Sequence, residues 1–351
     1  MANIRQVADR AGVSIGTVSR VLNNKPGVSK RTRNHVLSVA QELGYVLPTQ
    51  PHGVSAEVTH LGFLSAFRSI AANPFYAEVF HGVEQSCQAL HINLSISSLS
   101  IENLQLLRIP RLINDNYING LIVAGGVIPR EVFSTLGELS QVPLVLVDNH
   151  FNFCPWDAVM ADNITGARLA VEYLIGQGHR HITMLGGPDH PSVNERRFSY
   201  QETLKQHGLT PRVIAPPEAR HDITGLAPEG GASGVVEILR QAPETTAIFC
   251  SNDEQAVGAL KQLQELGLTV PGDLSLVGFD DTSMVKFTTP PITTINVDRF
   301  TMGQFAVQML LDRIRFPERP VIKATIGVAL IERDSVCAPR SHLLVTPGLT
   351  S

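Results

Sequence analysis

The sequence predicts two fold classes in one chain: a small all-α head built on a helix-turn-helix, then an α/β core of two doubly wound subdomains. Three observations predict this. Residues 4–43 place apolar side chains at helical spacing, broken at Gly12 and again before Val28-Ser29. From His60 onward, short apolar runs alternate with helical stretches, as parallel strands covered on both faces require. That alternation fills about 280 residues, more than one doubly wound domain accommodates. With 43% hydrophobic and 17% charged residues over 351 positions, the chain can bury a large core and is not disordered.

In the head, Val7, Ala8, Ala11 and Val13 give the first helix an apolar face, and Val18, Val21 and Leu22 give one to the second. Gly12 stands between them, where a sharp turn favours positive φ, and Ser14 offers an oxygen to cap the next helix. That helix opens Ile15, Gly16, Thr17 and carries Ser19 and Arg20 one turn on. Small and polar groups with one arginine at a helix start suit a reading helix. An arginine fork meets guanine O6 and N7 together, and Thr or Ser reaches phosphates or base edges. Ile15 and Gly16 would select by shape and by contact with thymine methyls. An ordinary helical hairpin is the plainer alternative. A third helix, Lys30 to Leu43, starts after Val28-Ser29 and offers Val36, Leu37, Val39, Ala40 and Leu43 for its inner face. Gly12-Val13-Ser14-Ile15-Gly16 also fits a hydrolase nucleophile elbow, but that elbow joins a strand to a helix and this one joins two helices.

Charge follows the same division. Residues 1–46 hold seven Lys/Arg against two Asp/Glu, net +5, and the remainder holds 21 against 30, net −9. The basic end is the one suited to phosphates. Residues 46–59, VLPTQPHGVSAEVT, form a linker broken by Pro48, Pro51 and Gly53.

In the core, strands are expected at 60–65, 92–97, 120–125, 143–148, 157–162, 181–187, 246–253, 274–281 and 292–298. Helices are expected over Tyr76–Leu90, Gly166–Gln177, Asn194–His207, Gln255–Leu266 and Thr301–Arg315. Ligands in open α/β sheets bind beyond the carboxyl ends of strands, and Asp148, Asn252-Asp253 and Asp280-Asp281 stand at such ends. Asp253 and Asp281 have a plainer role as helix caps. Arg196 opens a helix shortly after the 181–187 strand. Phe75 and Tyr76 follow Asn73-Pro74, where an aromatic face either stacks on a sugar ring or joins the core. Arg68 either favours an anionic ligand or is a solvated loop residue.

Cys87, Cys154, Cys250 and Cys337 lie far apart without C-x-x-C spacing and read as thiols of a reducing cytoplasm. No apolar run has membrane-spanning length, and the N-terminus lacks the apolar centre of a secretory signal. Neither a phosphate loop nor G-x-G-x-x-G occurs, so no enzymatic activity, cofactor or metal is called for.

The pieces VADRAGVS, TVSRVLN, VSKRTR and the closing ELGY resemble the head of the lactose-repressor/galactose-repressor (LacI/GalR) family of bacterial transcription regulators. The core segments NPFYAEVFHGVEQ, INGLIVAGG, VPLVLVDN, FCSNDEQAVGAL, DLSLVGFDD and PPITTINVD resemble that family's effector-binding region. The resemblance implies a DNA-binding head at 1–46, a hinge at 47–59, an effector-binding and dimerisation region at 60–340, and a tail at 341–351. It implies a periplasmic-binding-protein-like core with chain crossings near 160, 291 and 323. The first subdomain would then hold about 60–160 and 292–322, the second about 161–291 and 323–340.

By the same resemblance, Ser14, Ile15, Gly16, Thr17, Ser19, Arg20, Asn23, Ser29 and Thr32 meet DNA. Arg196, Asn252 and Asp280, with Asp148 and Phe75 nearby, meet the effector, a sugar or sugar derivative. The implied partners are a palindromic double-stranded operator, the effector and a second copy of the chain, with no membrane. Three departures stand out. The leucine that relatives wedge into DNA is missing, leaving Val54 as the nearest apolar candidate; Ile223 stands where sugar-responsive relatives often place an aromatic residue; and Ser199 replaces a glycine. The tail CAPRSHLLVTPGLTS has no heptad, so the expected assembly stops at a dimer. The reading is a cytoplasmic, effector-controlled repressor of carbohydrate utilisation. The alternative is a solute-binding or enzymatic α/β protein with an incidental helical N-terminus.

Overall fold

A computed structural model describes residues 4–22, 28–43, 58–65 and 73–340, apart from 103–104, 109–117, 126–127, 129, 141, 150–153 and 218–225. Asn23, Val54, Arg68, Ile223, most of the linker and the tail fall outside these residues. The chain forms two compact units, Met1–Ala56 and Glu57–Ser351.

The first unit is a three-helix head: α1 (Ile4–Ala11), α2 (Ile15–Leu22) and α3 (Lys30–Glu42). Gly12 takes φ +65° at the turn, a conformation that penalises a Cβ. Val7, Ala8, Ala11, Val18, Val21, Val36, Val39 and Ala40 close over one another as its core. Leu37, expected on the inner face of α3, is 43% exposed because it lies a full residue step around the helix from Val36.

The second unit contains two parallel sheets. The first has β1 (His60–Ser65), β2 (Asn93–Ser98), β5 (Gly120–Ala124), β6 (Leu144–Val147), β7 (Asp157–Ala161) and β13 (Lys323–Ile326), in the order β13-β7-β6-β5-β1-β2. A short antiparallel pair, β3 (Ser100–Glu102) and β4 (Gln105–Arg108), stands apart. The second sheet has β8 (Ile182–Leu185), β9 (Arg212–Ile214), β10 (Ala247–Cys250) and β11 (Ser275–Val277), in the order β11-β10-β8-β9.

Alternate residues of each strand enter different cores, as the twofold side-chain period dictates. In the first sheet, Leu61, Phe63, Ile122 and Val145 pack toward α4 (Pro74–Ala89) and α10 (Arg299–Arg315). Leu64, Leu121, Val123 and Leu146 pack toward Phe133 and Leu136 of α5 (Arg130–Ser140). In the second sheet, Met184 and Phe249 meet α6 (Asn163–Gly176) and α7 (Pro191–Gln206), and Leu185 and Ile248 meet α8 (Pro228–Gln241) and α9 (Asp253–Glu265). Each fully buried side chain of this size contributes roughly 1.5–3 kcal/mol. Both sheets are therefore covered on both faces, as doubly wound sheets must be.

Helix pairs on both sheets meet backbone to backbone. A Cβ on Gly82 of α4 would strike the Phe300 carbonyl, and one on Gly303 of α10 would strike the Val79 carbonyl. Gly231 and Gly258 repeat this arrangement between α8 and α9, against the carbonyls of Gln255 and Pro228.

The chain leaves the first sheet after β7, and Asp162 caps α6 by accepting from Thr165 N at 2.9 Å. It returns through β12 (Thr294–Val297), which pairs antiparallel with β14 (Val328–Ile331), before α10. The third exchange, expected near 323, falls beyond Ile326, because Lys323–Ile326 is the edge strand of the first sheet, in register with β7. Its start is pinned electrostatically. Asp157 is fully buried and accepts from Arg313 (2.9 Å), Arg319 (2.7 Å) and Ile322 N (2.7 Å). Removing one partner of such a buried pair costs about 3–5 kcal/mol.

Candidate functional site

The head presents two matching helix starts. Ser14 Oγ accepts from Thr17 N at 3.1 Å and meets the Thr17 hydroxyl at 2.9 Å; Ser29 and Thr32 repeat this at 3.1 and 2.8 Å. Each serine therefore satisfies an amide that a helix start leaves unpaired. Ile15 is 42% exposed at the first residue of α2, an apolar side chain the head's core does not use. Gly16 is also exposed, with only Ser14 Oγ near where a Cβ would stand. Ser19 and Arg20 are helical positions of α2; their side chains, like Asn23, lie outside the described residues.

In the core, polar groups converge where the two sheets direct their carboxyl ends. Asp148 follows β6 with φ +56° and is 6% exposed. Its Oδ2 accepts from Tyr76 Oη at 2.7 Å and its Oδ1 from Ser192 Oγ at 2.6 Å. Burial first, and the Asp148 charge second, hold the Tyr76 phenol well above its ordinary pKa, so it remains a donor. Phe75 is buried and meets the Tyr76 ring edge-on at 5.0 Å, so Tyr76 is the residue of this pair that reaches Asp148.

Arg196 is the hub of the second half. Its Nε donates to Asn163 Oδ1 at 2.8 Å, Nη1 to the Ser251 carbonyl at 2.5 Å, and Nη2 to Asp280 Oδ1 at 3.3 Å. The guanidinium lies 3.6 Å from the Phe279 ring centroid, a close cation–π arrangement. Asn163 is held in the required orientation by donating to Glu195 Oε2 at 2.8 Å. Asp280 and Asp281 have φ +112° and +54°, and Arg299 donates to both of their carbonyls. Burial raises the Asp280 carboxyl against the lowering effects of Arg196 and Arg299.

Neither Asp253 nor Asp281 is the helix cap its position suggested. Asn252 caps α9, accepting from Gln255 N at 2.9 Å. Asp253 accepts from Thr282 N (2.6 Å) and Thr294 Oγ1 (2.6 Å), and burial with the Asp280 charge pushes its pKa up. Asp281 pairs with Arg333 and accepts from Asn296 at 3.1 Å. Among the described residues, no group of three or more His, Cys, Asp or Glu is placed to hold a metal.

Asp148, Arg196 and Asp280 therefore stand in one polar network region, Asn252 borders it as a cap, and Phe75 sits in the adjoining core. Ser192 and Asn163 belong to no motif that marks them as site residues, and Tyr76, one of two candidate aromatics, contributes its hydroxyl to Asp148. Helix register is the signal that finds Ser192: it lies four residues before Arg196, on the same face of α7.

A helix-turn-helix head joined to a two-sheet core whose polar groups meet at strand ends defines a DNA-binding regulator. Residues 3–47 match the model of bacterial regulatory proteins of the lacI family, and residues 171–336 match the periplasmic binding protein-like domain. The ribose operon repressor of Haemophilus influenzae is 32% identical over 96% of this chain and 99% of its own length. The repressor CytR of Escherichia coli K12 is 33% identical over 90% of both chains. Among solved structures, a transcriptional regulator CelR–cellobiose complex superposes with a TM-score of 0.69 at 26% identity, over 95% of this chain and all of the other. A LacI family regulator from Enterococcus faecium with bound ribose gives 0.67 at 25% identity, over 80% and 100%.

The chain belongs to the lacI family of bacterial regulatory proteins. It is a sequence-specific DNA-binding transcriptional regulator. The solute-binding or enzymatic alternative is not favoured, because these relatives are regulators.

Proposed function

We propose that this regulator is a cytoplasmic homodimeric repressor of a carbohydrate-utilisation operon, released from or held on a palindromic operator by a sugar or sugar derivative. The effector sits between the two α/β subdomains. Asp148, Arg196 and Asp280 hydrogen-bond its hydroxyls, with Asn252 and Phe75 at the margin. Carboxylates and a guanidinium suit a polyol because each makes two or more directed bonds.

The observation that carries this reading is the bond between Asp148, at the end of a first-sheet strand, and Ser192 of the second sheet's α7, with the Arg196–Asp280 pair of that second half in the same region. The ribose operon repressor and the cellobiose- and ribose-bound regulators among its relatives support a sugar. An effector bound there changes the angle between subdomains and so the spacing of two heads related by a twofold axis.

A mobility-shift titration on DNA upstream of the protein's own gene, with and without a panel of sugars, tests this. Sugar-dependent change in a specific shift is expected. A shift that no sugar moves, or no specific shift, overturns it. Light scattering at micromolar concentration should give a dimer, and a stable tetramer would contradict the assembly proposed.

A further inference from the structure

Among the charged groups near Asp280, one guanidinium is not answered by a carboxylate. Arg196 pairs with the Asp280 carboxylate, and the Asp281 carboxylate pairs with Arg333 and with Lys286 at 3.7 Å. Arg299 instead spends its two Nη groups on backbone carbonyls, those of Asp280 and Asp281, the latter at 3.2 Å. Its Nε is buried and has no hydrogen-bond partner. Among the described residues, no carboxylate lies within ion-pair distance of it.

Position makes this cation pertinent to the effector. Arg299 is the first residue of α10, reached directly from β12, where the chain passes back to helices of the first sheet. Its charge is close enough to Asp280 to stabilise that carboxylate. Asp148, on the other side, is answered among the described residues by the hydroxyls of Tyr76 and Ser192. One side of the region thus offers an acceptor suited to hydroxyl donors. The other offers a half-buried cation with several of a guanidinium's five N–H groups uncommitted.

A guanidinium hydrogen-bonded only to neutral carbonyls, with the Asp280 carboxylate near but unbonded to it, is under-compensated, and an anionic oxygen completes it far better than a hydroxyl does. We propose that Arg299 is an effector-contacting residue, and that the effector carries an anionic oxygen group, a carboxylate or a phosphate, on a polyhydroxylated body. The hydroxyls of that body meet Asp148 and Asp280, and the anionic end meets Arg299. This inference rests on the reading of the region as the effector site.

Calorimetry on the full-length protein tests it with two matched trios: D-ribose, D-ribonate and D-ribose 5-phosphate; and D-glucose, D-gluconate and D-glucose 6-phosphate. One anionic member should bind about ten- to a hundredfold more tightly than its neutral parent, the gain expected of a charge-assisted bond. Which anion binds distinguishes carboxylate from phosphate. Arg299→Gln should abolish the preference for the anion, and Arg299→Lys, which keeps the charge, should retain most of it. The inference is overturned if a neutral parent binds as tightly as its anions, if Arg299→Gln keeps the preference, or if no member of either trio binds. If an anion binds and Arg196→Ala leaves its affinity unchanged, the site itself is misplaced and both readings fall. Loss in Arg196→Ala with an unchanged preference in Arg299→Gln removes only the charge assignment.

Discussion

Ser192 Oγ donates to Asp148 Oδ1 at 2.6 Å, and this bond joins the first turn of α7 to the end of β6. The two residues are carried by different sheets, so the bond ties the halves of the core directly. Replacing Ser192 with Ala leaves a buried carboxylate oxygen without its donor. The expected loss is about 1–3 kcal/mol, measured by urea titration of the core. No loss would mean that the bond is not held in solution.

Arg196→Ala should remove the response to effector while leaving specific operator binding intact. It also strands Asn163 Oδ1, the Ser251 carbonyl and Asp280 in the interior, so stability should fall by about 3–5 kcal/mol. Thermal melts and operator titrations with and without the effector separate the two effects. A variant that still responds to effector would show Arg196 to be structural alone.

Stability should depend on Glu254. Burial, then the charges of Asp280 and Glu229, raise its carboxyl from 4.5 to about 7. The fold therefore prefers the protonated form. Above the unfolded pKa the unfolded chain ionises freely while the folded chain resists, so this contribution falls as pH rises from 4.5 to about 7 and is flat beyond. His179, whose pKa burial lowers, acts in the opposite sense, so the difference between wild type and Glu254→Gln is the informative curve. The wild-type melting midpoint should fall relative to Glu254→Gln across that window. Parallel curves would remove the assignment.

In the head, capping and reading should separate. Ser29→Ala should cost about 1 kcal/mol of local helix stability, visible as faster amide exchange across the first turn of α3. Arg20→Ala should cost about 1–3 kcal/mol on the specific operator and much less on random DNA. Equal losses on both DNAs would place Arg20 on phosphate.

Much of this architecture is written in local pattern. β1 occupies the six residues, HLGFLS, that alternation and flanking breaks mark out; β2 starts and ends one residue later than expected, and the remaining expected strands end a residue or more early, where turns begin. α8 is harder to read. Its sequence PEGGASGVVEILRQ carries three glycines that lower helix propensity; close packing favours two of them, Gly231 against α9 and Gly234 against Leu185 of β8. β13 is unreadable for another reason: KATI is largely exposed and lacks an apolar run, while β14, VALI, is a run of only four residues, too short to be told from a loop or helix fragment. At the site, strand ends and motif residues point to Asp148, Arg196 and Asp280. Phe75 and Tyr76 are adjacent aromatics, and no sequence pattern says which hydroxyl or ring turns to Asp148; tertiary packing decides it. Asp253 also escapes pattern, because its donors Thr282 and Thr294 arrive from distant elements.

The seams at Gly82–Gly303 and Gly231–Gly258 leave the helix pairs no slack in which to slide or re-pack. At the proposed effector site, mechanical work done on Asp148 and Asp280 would then not be dissipated as repacking within these helix pairs. It is delivered to the few connecting segments between the sheets, as force through stiff levers goes to the joint. In a saturation library scored for regulation, these four glycines should rank among the least tolerant positions, although each meets only a neighbouring helix.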